Sequence, residues 1–118
     1  MRASDGLGVY GEQVAERHLV AAGFAILARN WRCAEGEIDI VAQDGDVLVV
    51  CEVKTRSSAA YGAPLEAVTA PKARRLRRLA AAWLRENRLR ASAVRVDVVS
   101  ILASPRDGLQ IHHLRGVA

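Results

Sequence analysis

Apolar and polar positions along the chain follow two periods, one typical of helices and one typical of strands. From about residue 6 to 22, small and apolar residues recur every three or four positions, which predicts a first helix that ends at Gly23. A second helical pattern runs from Pro71 to about Asn87, and we expect Thr69 or Ala70 to cap it, with Pro71 in its first turn. Shorter apolar runs predict strands at 24–31, 36–41, 47–54, 94–102 and 109–114. The order αβββαβ(β) predicts an α/β fold, with a mixed sheet flanked by helices in one domain over residues 1–118.

Charged residues interrupt the second and third predicted strands, where the apolar neighbours indicate burial. A two-residue loop at Asp44–Gly45 would pair positions whose numbers sum to 89. Asp39 would then lie diagonal to Glu52, on one face of the sheet that also carries Glu37 and Lys54. Because buried charges are costly without partners, this pattern predicts a functional site. A cross-strand surface pair of Glu52 and Lys54 is the plainer alternative.

The chemistry that suits these residue types is metal-dependent phosphodiester hydrolysis. Mg²⁺ or Mn²⁺ prefers one or two carboxylates together with waters and substrate oxygens, which Asp39 and Glu52 would complete. Lys54 would orient the attacking water or stabilise the developing negative charge. Glu12 is a candidate third carboxylate, provided that its helix end faces this edge of the sheet.

The charge distribution favours an anionic partner. The chain has a formal net charge of +4, and its second predicted helix carries a dense basic cluster opposed by Glu86 alone. Arginine predominates there, which suits bidentate contacts with phosphate, although an ordinary solvated helix face is the alternative. The cluster consists of Lys72, Arg74, Arg75, Arg77, Arg78, Arg85, Arg88 and Arg90.

Features of other protein classes are missing from the sequence. No apolar run approaches the roughly 20 residues of a membrane span, and the first residues lack an apolar signal segment, so we expect a cytoplasmic protein without a membrane partner. Cys33 and Cys51 form no paired ligand motif, and we expect both to be free thiols.

Seven short motifs occur in a specific order and spacing along the chain. They are Gly11-Glu12-x-x-Ala15-x-x-x-Leu19-x-x-x-Gly23, Arg29-Asn30-x-Arg32, Gly36-Glu37-Ile38-Asp39, Glu52-Val53-Lys54-x-Arg56, Gly62-x-Pro64-x-Glu66-Ala67-Val68, Lys72 and Arg95-Val96-Asp97-Val98-Val99. Together they resemble a known family, the small bacterial YraN-like proteins. The resemblance covers about Gly8 to Ile101. This uncharacterised family is placed near the archaeal Holliday-junction resolvases.

The resemblance implies a restriction-endonuclease-like core and a PD-(D/E)xK nuclease site. Ile38 stands where the strict motif has proline, a position at which the related resolvases also vary. Arg56 would contact substrate phosphate, and Asp97 is expected to be a structural carboxylate paired with an arginine. The positions that match the catalytic acids and lysine are Glu12, Asp39, Glu52 and Lys54.

Three functional hypotheses follow. The first is an endonuclease that uses Mg²⁺ or Mn²⁺ to cut DNA, including branched or damaged DNA, in preference to RNA. The second is a nucleic-acid-binding module that keeps the nuclease fold without cutting. The third is a subunit whose protein partner supplies the chemistry. A homodimer is left open, because a resolvase acts through two active sites.

Overall fold

Within residues 5–57, 68–106 and 108–117, which the computed structural model describes, the chain forms two helices and five strands. Their order confirms the predicted αβββαβ(β), with the last strand present. The expected helical turn near 65–68 and the motif that starts at Gly62 fall largely outside the described residues. The elements are α1 (Asp5–Ala21), β1 (Ala25–Cys33), β2 (Gly36–Asp44), β3 (Val47–Arg56), α2 (Ala70–Glu86), β4 (Ala93–Ser104) and β5 (Gly108–Leu114).

The strands of the described residues form one mixed sheet in the order β1-β2-β3-β4-β5. The β3 and β4 strands pair in parallel, whereas each remaining pair of neighbours is antiparallel. The parallel pair requires a crossover connection, and α2 lies in that connection. The predicted mixed sheet with flanking helices is therefore confirmed.

The two helices cover opposite faces of the sheet, because alternate residues of the central strands enter different cores. Val49 of β3 packs in the cluster that contains Leu19 of α1, whereas the adjacent Val50 packs with Leu79 and Trp83 of α2. We call these sides the α1 face and the α2 face. Both cysteines are free thiols, as expected, and Cys51 is buried on the α1 face.

The β2–β3 hairpin has a different register from the expected one. Asp44 pairs with Val47 and Ile40 pairs with Cys51, so paired numbers sum to 91 and the loop is Gly45–Asp46. Gly45 has a φ of +63°, a left-handed conformation that glycine adopts without steric cost. The predicted sum of 89 was wrong by two residues. A shift of two residues preserves the alternation of faces in a regular strand.

Close packing of α1 on β3 depends on Gly11. A Cβ atom built at Gly11 would overlap the Thr55 hydroxyl and lie 2.8 Å from the Thr55 Cβ. Only a residue without a side chain therefore permits this approach of helix to strand. The contact places Glu12, the next residue of α1, beside the carboxyl-terminal part of β3.

The start of α2 is capped as the sequence predicts. The Thr69 hydroxyl oxygen accepts a hydrogen bond from the Lys72 backbone N–H at 3.3 Å, and Pro71 lies in the first turn. Val68 before the cap and Ala73 after it are both buried in the core of the α2 face. These interactions fix the position from which the Lys72 side chain extends out of α2.

The helices of the described residues include none that is both long and apolar enough to cross a membrane.

Candidate functional site

Glu52 of β3 is a buried carboxylate with two lysine partners. Its side chain is 11% exposed, and its Oε1 lies 2.9 Å from Lys72 Nζ and 3.5 Å from Lys54 Nζ. Lys54 follows Glu52 by two positions on the same face, as expected from strand geometry. Lys72 was assigned to a surface for nucleic acid, but the structure places its ammonium group at Glu52. The two ammonium groups offset the cost of burying this charge.

Asp39 of β2 lies where the pairing with β3 ends. Continuing the register beyond Ile40↔Cys51 would set Asp39 opposite Glu52. Instead, its side-chain Oδ2 accepts a hydrogen bond from the Val53 backbone N–H at 2.9 Å. The Asp39 carboxylate thus accepts a β3 backbone hydrogen bond in place of a backbone carbonyl, next to Glu52.

A local irregularity changes the direction in which Asp39 reaches the site. Ile38 packs on the α2 face but Ile40 packs on the α1 face, so regular alternation breaks at Asp39. On the neighbouring strand, Asn30 has a φ of +49°, which is uncommon for a residue other than glycine. The regular alternation on which the expectation of one shared face for Asp39 and Glu52 rested therefore does not hold at this point of β2.

Asp39 and Glu12 instead line a cavity of about 290 Å³ beneath α1. Glu16 and Arg29 also line this cavity and form an ion pair with each other. The Glu12 position beside Asp39 agrees with the prediction of a third carboxylate near the site. Asp39 lines this cavity on the α1 side and accepts a hydrogen bond from Val53, the neighbour of Glu52, whereas Glu52 itself contacts Lys72 of α2.

The electrostatic environment of Asp39 indicates that the carboxylates are close. Burial is the main cause that raises the pKa of Asp39 to about 7, and the negative charge of Glu52 is the next. The Val53 hydrogen bond opposes this rise, while Glu12 and Glu37 add to it. Glu37 also contacts Arg32, with 3.1 Å between Oε2 and Nε. A cation between Asp39 and Glu52 would relieve their repulsion.

The donor atoms suit a hard divalent cation that keeps part of its water shell. Asp39 and Glu52 supply carboxylate oxygens, which Mg²⁺ and Mn²⁺ prefer. Across the described ranges, no group of three or more His, Cys, Asp or Glu side chains is arranged to hold a metal. Two carboxylates completed by waters and substrate oxygens are a donor set that Mg²⁺ commonly takes.

The remaining residues predicted to bind nucleic acid occupy two places. Arg74, Arg75 and Arg78 are exposed on α2, which leads away from Lys72 along the sheet. Arg56 is half-buried at the end of β3, two residues beyond Lys54. The α2 arginines form an open basic surface that begins beside the carboxylates.

Sequence reasoning missed a buried network on the α1 face. Asp97 is fully buried, and its Oδ2 lies 2.8 Å from Nε2 of His113. Nδ1 of His113 lies 3.2 Å from Nε2 of His18 in α1. Arg95 donates from Nε to Asp97 at 2.9 Å, which agrees with the arginine partner that we expected for Asp97. A charged residue within the apolar β4 run was the available signal.

Comparison with known proteins identifies the family. Residues 11–101 match the model of "Uncharacterised protein family UPF0102". A UPF0102 protein of Beutenbergia cavernae is 56% identical over 117 residues, with 99% of each chain covered. One from Frankia alni is 56% identical over 116 residues, covering 98% of this chain and 97% of the relative. The chain therefore belongs to the UPF0102 family, the YraN-like proteins that its motifs resemble.

Proposed function

We propose that this protein is a metal-dependent endonuclease that hydrolyses phosphodiester bonds of DNA, with branched or damaged DNA as the preferred substrate. The proposal includes a restriction-endonuclease-like core related to that of the Holliday-junction resolvases. The observation that supports it most strongly is that Asp39 accepts a hydrogen bond from the Val53 backbone, the residue between Glu52 and Lys54, which themselves form an ion pair. Burial and the negative charge of Glu52 disfavour the ionised form of Asp39, and a divalent cation would relieve this penalty.

Each residue has a role that follows from its position. Asp39 and Glu52 would hold Mg²⁺ or Mn²⁺, which supplies charge neutralisation and activation of water when bound. Lys54 is 37% exposed beside Glu52 and would stabilise negative charge on the attacked phosphate. Glu12, across the cavity from β2, would position a water or a second outer ligand near Asp39.

Substrate would lie along the arginines of α2. Arg74, Arg75 and Arg78 are exposed on the helix that begins at the site, so a phosphate backbone bound there would pass the carboxylates. Arg56 would add a phosphate contact close to Lys54. Such binding should weaken steeply as salt concentration rises, because condensed counterions are released from the nucleic acid.

A panel of labelled substrates tests this proposal. Duplex, single-stranded, flap and four-way-junction DNA, with an RNA duplex for comparison, would be incubated with Mn²⁺ or with EDTA. Lys54→Ala should reduce cleavage by about 10²-fold or more, because the developing negative charge loses its stabilising partner. Arg106→Gln, which removes a positive charge from the exposed turn after β4, is the control and should cut like wild type.

A nucleic-acid-binding module without catalysis is the second candidate. The observation in its favour is that the exposed arginines of α2 would bind a phosphate backbone without any help from the carboxylates. This alternative predicts salt-sensitive DNA binding that EDTA leaves unchanged and that Glu52→Ala does not weaken. Absence of both binding and cleavage would instead favour a subunit whose partner supplies the chemistry.

A further inference from the structure

Two lysines contact the same oxygen of Glu52, but their contacts differ. Lys72 Nζ is 2.9 Å from Oε1, within hydrogen-bond distance, whereas Lys54 Nζ is 3.5 Å away. Lys72 is also the better shielded of the two, with a side chain 24% exposed compared with 37%. Lys72 is therefore the main counter-charge of Glu52 in the metal-free protein.

The backbone of Lys72 is held firmly while its side chain spans a gap. Thr69 caps the helix through the Lys72 N–H, and Val68 and Ala73 anchor this turn in the core. The four-carbon side chain then reaches from α2 to β3. A lysine ammonium group is a compact charge on a flexible stem, so it can change partners while the helix stays in place.

Lys72 and a divalent cation would compete for Glu52. A divalent cation bound at Glu52 would repel the Lys72 ammonium group, with twice the strength of a monovalent ion at the same distance. The hydrogen bond from Lys72 therefore opposes metal binding at the same carboxylate. Once the hydrogen bond breaks, the Lys72 ammonium requires another negatively charged partner close to β3.

We propose that Lys72 is a place-holding cation, which neutralises Glu52 until a divalent metal binds and then turns its ammonium group to a phosphate oxygen of the substrate. This inference rests on the proposed nuclease function. It gives the two lysines different roles: Lys54 stays beside Glu52 on the same strand, whereas Lys72 changes partner. Lys72 is thus a positioning residue that keeps the metal-free site charge-balanced and contacts substrate later.

Metal affinity without nucleic acid tests the first half of the proposal. Binding of Mn²⁺ would be followed by the electron paramagnetic resonance signal of the free ion. Lys72→Gln should bind Mn²⁺ about tenfold more tightly than wild type, because the competing charge is gone. Arg106→Gln loses one positive charge elsewhere and should stay within about twofold, whereas Glu52→Gln should lose the site.

The outcomes separate this inference from the proposed function. Mn²⁺ binding that depends on Glu52 but is equal in wild type and Lys72→Gln would overturn the role of Lys72 alone. Weaker binding by Lys72→Gln would also overturn it, since a purely structural role would loosen the site. Failure of both proteins to bind Mn²⁺ would overturn the metal site and the inference together.

A measurement on wild-type protein guards against a variant that fails to fold. The chain contains two lysines, Lys54 and Lys72, so side-chain NMR of labelled lysine gives two ammonium signals, assigned with Lys54→Arg. Saturation with Mg²⁺ should shift the Lys72 signal more than the Lys54 signal, as its hydrogen bond to Glu52 is lost. A Lys72 signal that stays in place at saturation would contradict the proposal.

Binding of DNA tests the second half. Ca²⁺ would replace Mg²⁺, and fluorescence anisotropy of a labelled four-way junction would report affinity for wild type, Lys72→Gln and Arg106→Gln. We expect Lys72→Gln to weaken junction binding about tenfold in Ca²⁺ but less than threefold in EDTA, where Lys72 remains paired with Glu52. An equal loss in both conditions would overturn the exchange of partners.

Discussion

Gly11→Ala should destabilise the protein by forcing α1 away from β3. A Cβ at Gly11 would overlap the Thr55 hydroxyl, and rotating that group away would still leave the Thr55 Cβ at 2.8 Å and Cγ2 at 3.0 Å. Favourable carbon–carbon contact needs about 3.5–4.0 Å, so the backbone must move. Overpacking costs typically about 1–3 kcal/mol, of which the better helix propensity of alanine returns up to about 1 kcal/mol. We expect a net loss of about 1–2 kcal/mol in the free energy of unfolding.

Gly8→Ala is the matched control on the same helix. A Cβ at Gly8 meets nothing within 4 Å, so alanine should stabilise the helix by about 0.5–1 kcal/mol. Urea unfolding of both variants, followed by circular dichroism, would measure the difference, which we expect to be about 1.5–3 kcal/mol. Thr55→Ala in the Gly11→Ala background should recover part of the loss, since it removes the hydroxyl and methyl contacts. Equal stability of Gly8→Ala and Gly11→Ala would refute the packing argument.

Three further predictions concern the charged groups. Because the pKa of Asp39 is raised to about 7, its ionisation costs stability as pH rises from about 4 to about 7. Without metal, Asp39→Asn should therefore be more stable than wild type at pH 8 by about 2 kcal/mol, a value discounted for partial exposure. Thermal unfolding should show this difference at pH 8 and none at pH 4, where Asp39 is protonated. Partial burial, followed by the charges of His113 and Arg115, lowers the pKa of His18, so stability is present above pH 6.5 and lost as pH falls; His18→Gln should flatten this loss in unfolding curves between pH 7 and 5. Asp97→Asn should cost about 3 kcal/mol in urea unfolding because Arg95 and His113 lose a buried partner, and a loss below about 0.5 kcal/mol would contradict that role.

The order of elements followed from the sequence because apolar periodicity reflects which side of each element is buried. The α2 stripe illustrates this: Leu76, Leu79 and Trp83 recur at helical spacing and all enter one core. The cap was also predictable, since Thr69 precedes Pro71 at the first turn. These signals are local, and they were sufficient for the helices and the central strands.

The register of the β2–β3 hairpin and the direction of the Asp39 side chain were harder to predict from the sequence. Asp44–Gly45 and Gly45–Asp46 are both chemically reasonable loops, and the choice between them changes the register by two residues. The break in alternation at Asp39 accompanies the left-handed conformation of Asn30 on another strand. A pattern of apolar residues along one strand contains no information about such an irregularity in its neighbour.

The sequence-based predictions contained none of the side-chain contacts between Lys72 and Glu52 or between His18 and His113. Lys72 meets Glu52 across 20 residues, and His18 meets His113 across 95. Lys72 resembled one more member of a basic helix until the start of α2 was placed beside β3. The identities of the candidate acids and Lys54 were predictable, whereas the partners that balance their charges required the fold.

A direct comparison of wild type and Glu52→Gln tests whether Glu52 supports metal-dependent cutting of DNA. Wild type and Glu52→Gln, purified in parallel, would be incubated with a labelled four-way junction in Mn²⁺, with EDTA as the blank. We expect wild type to cut the junction in Mn²⁺ but not in EDTA, and Glu52→Gln to lose about 10²-fold or more of this activity. Equal cutting by both proteins, or binding of the junction without cutting by either, would contradict this expectation.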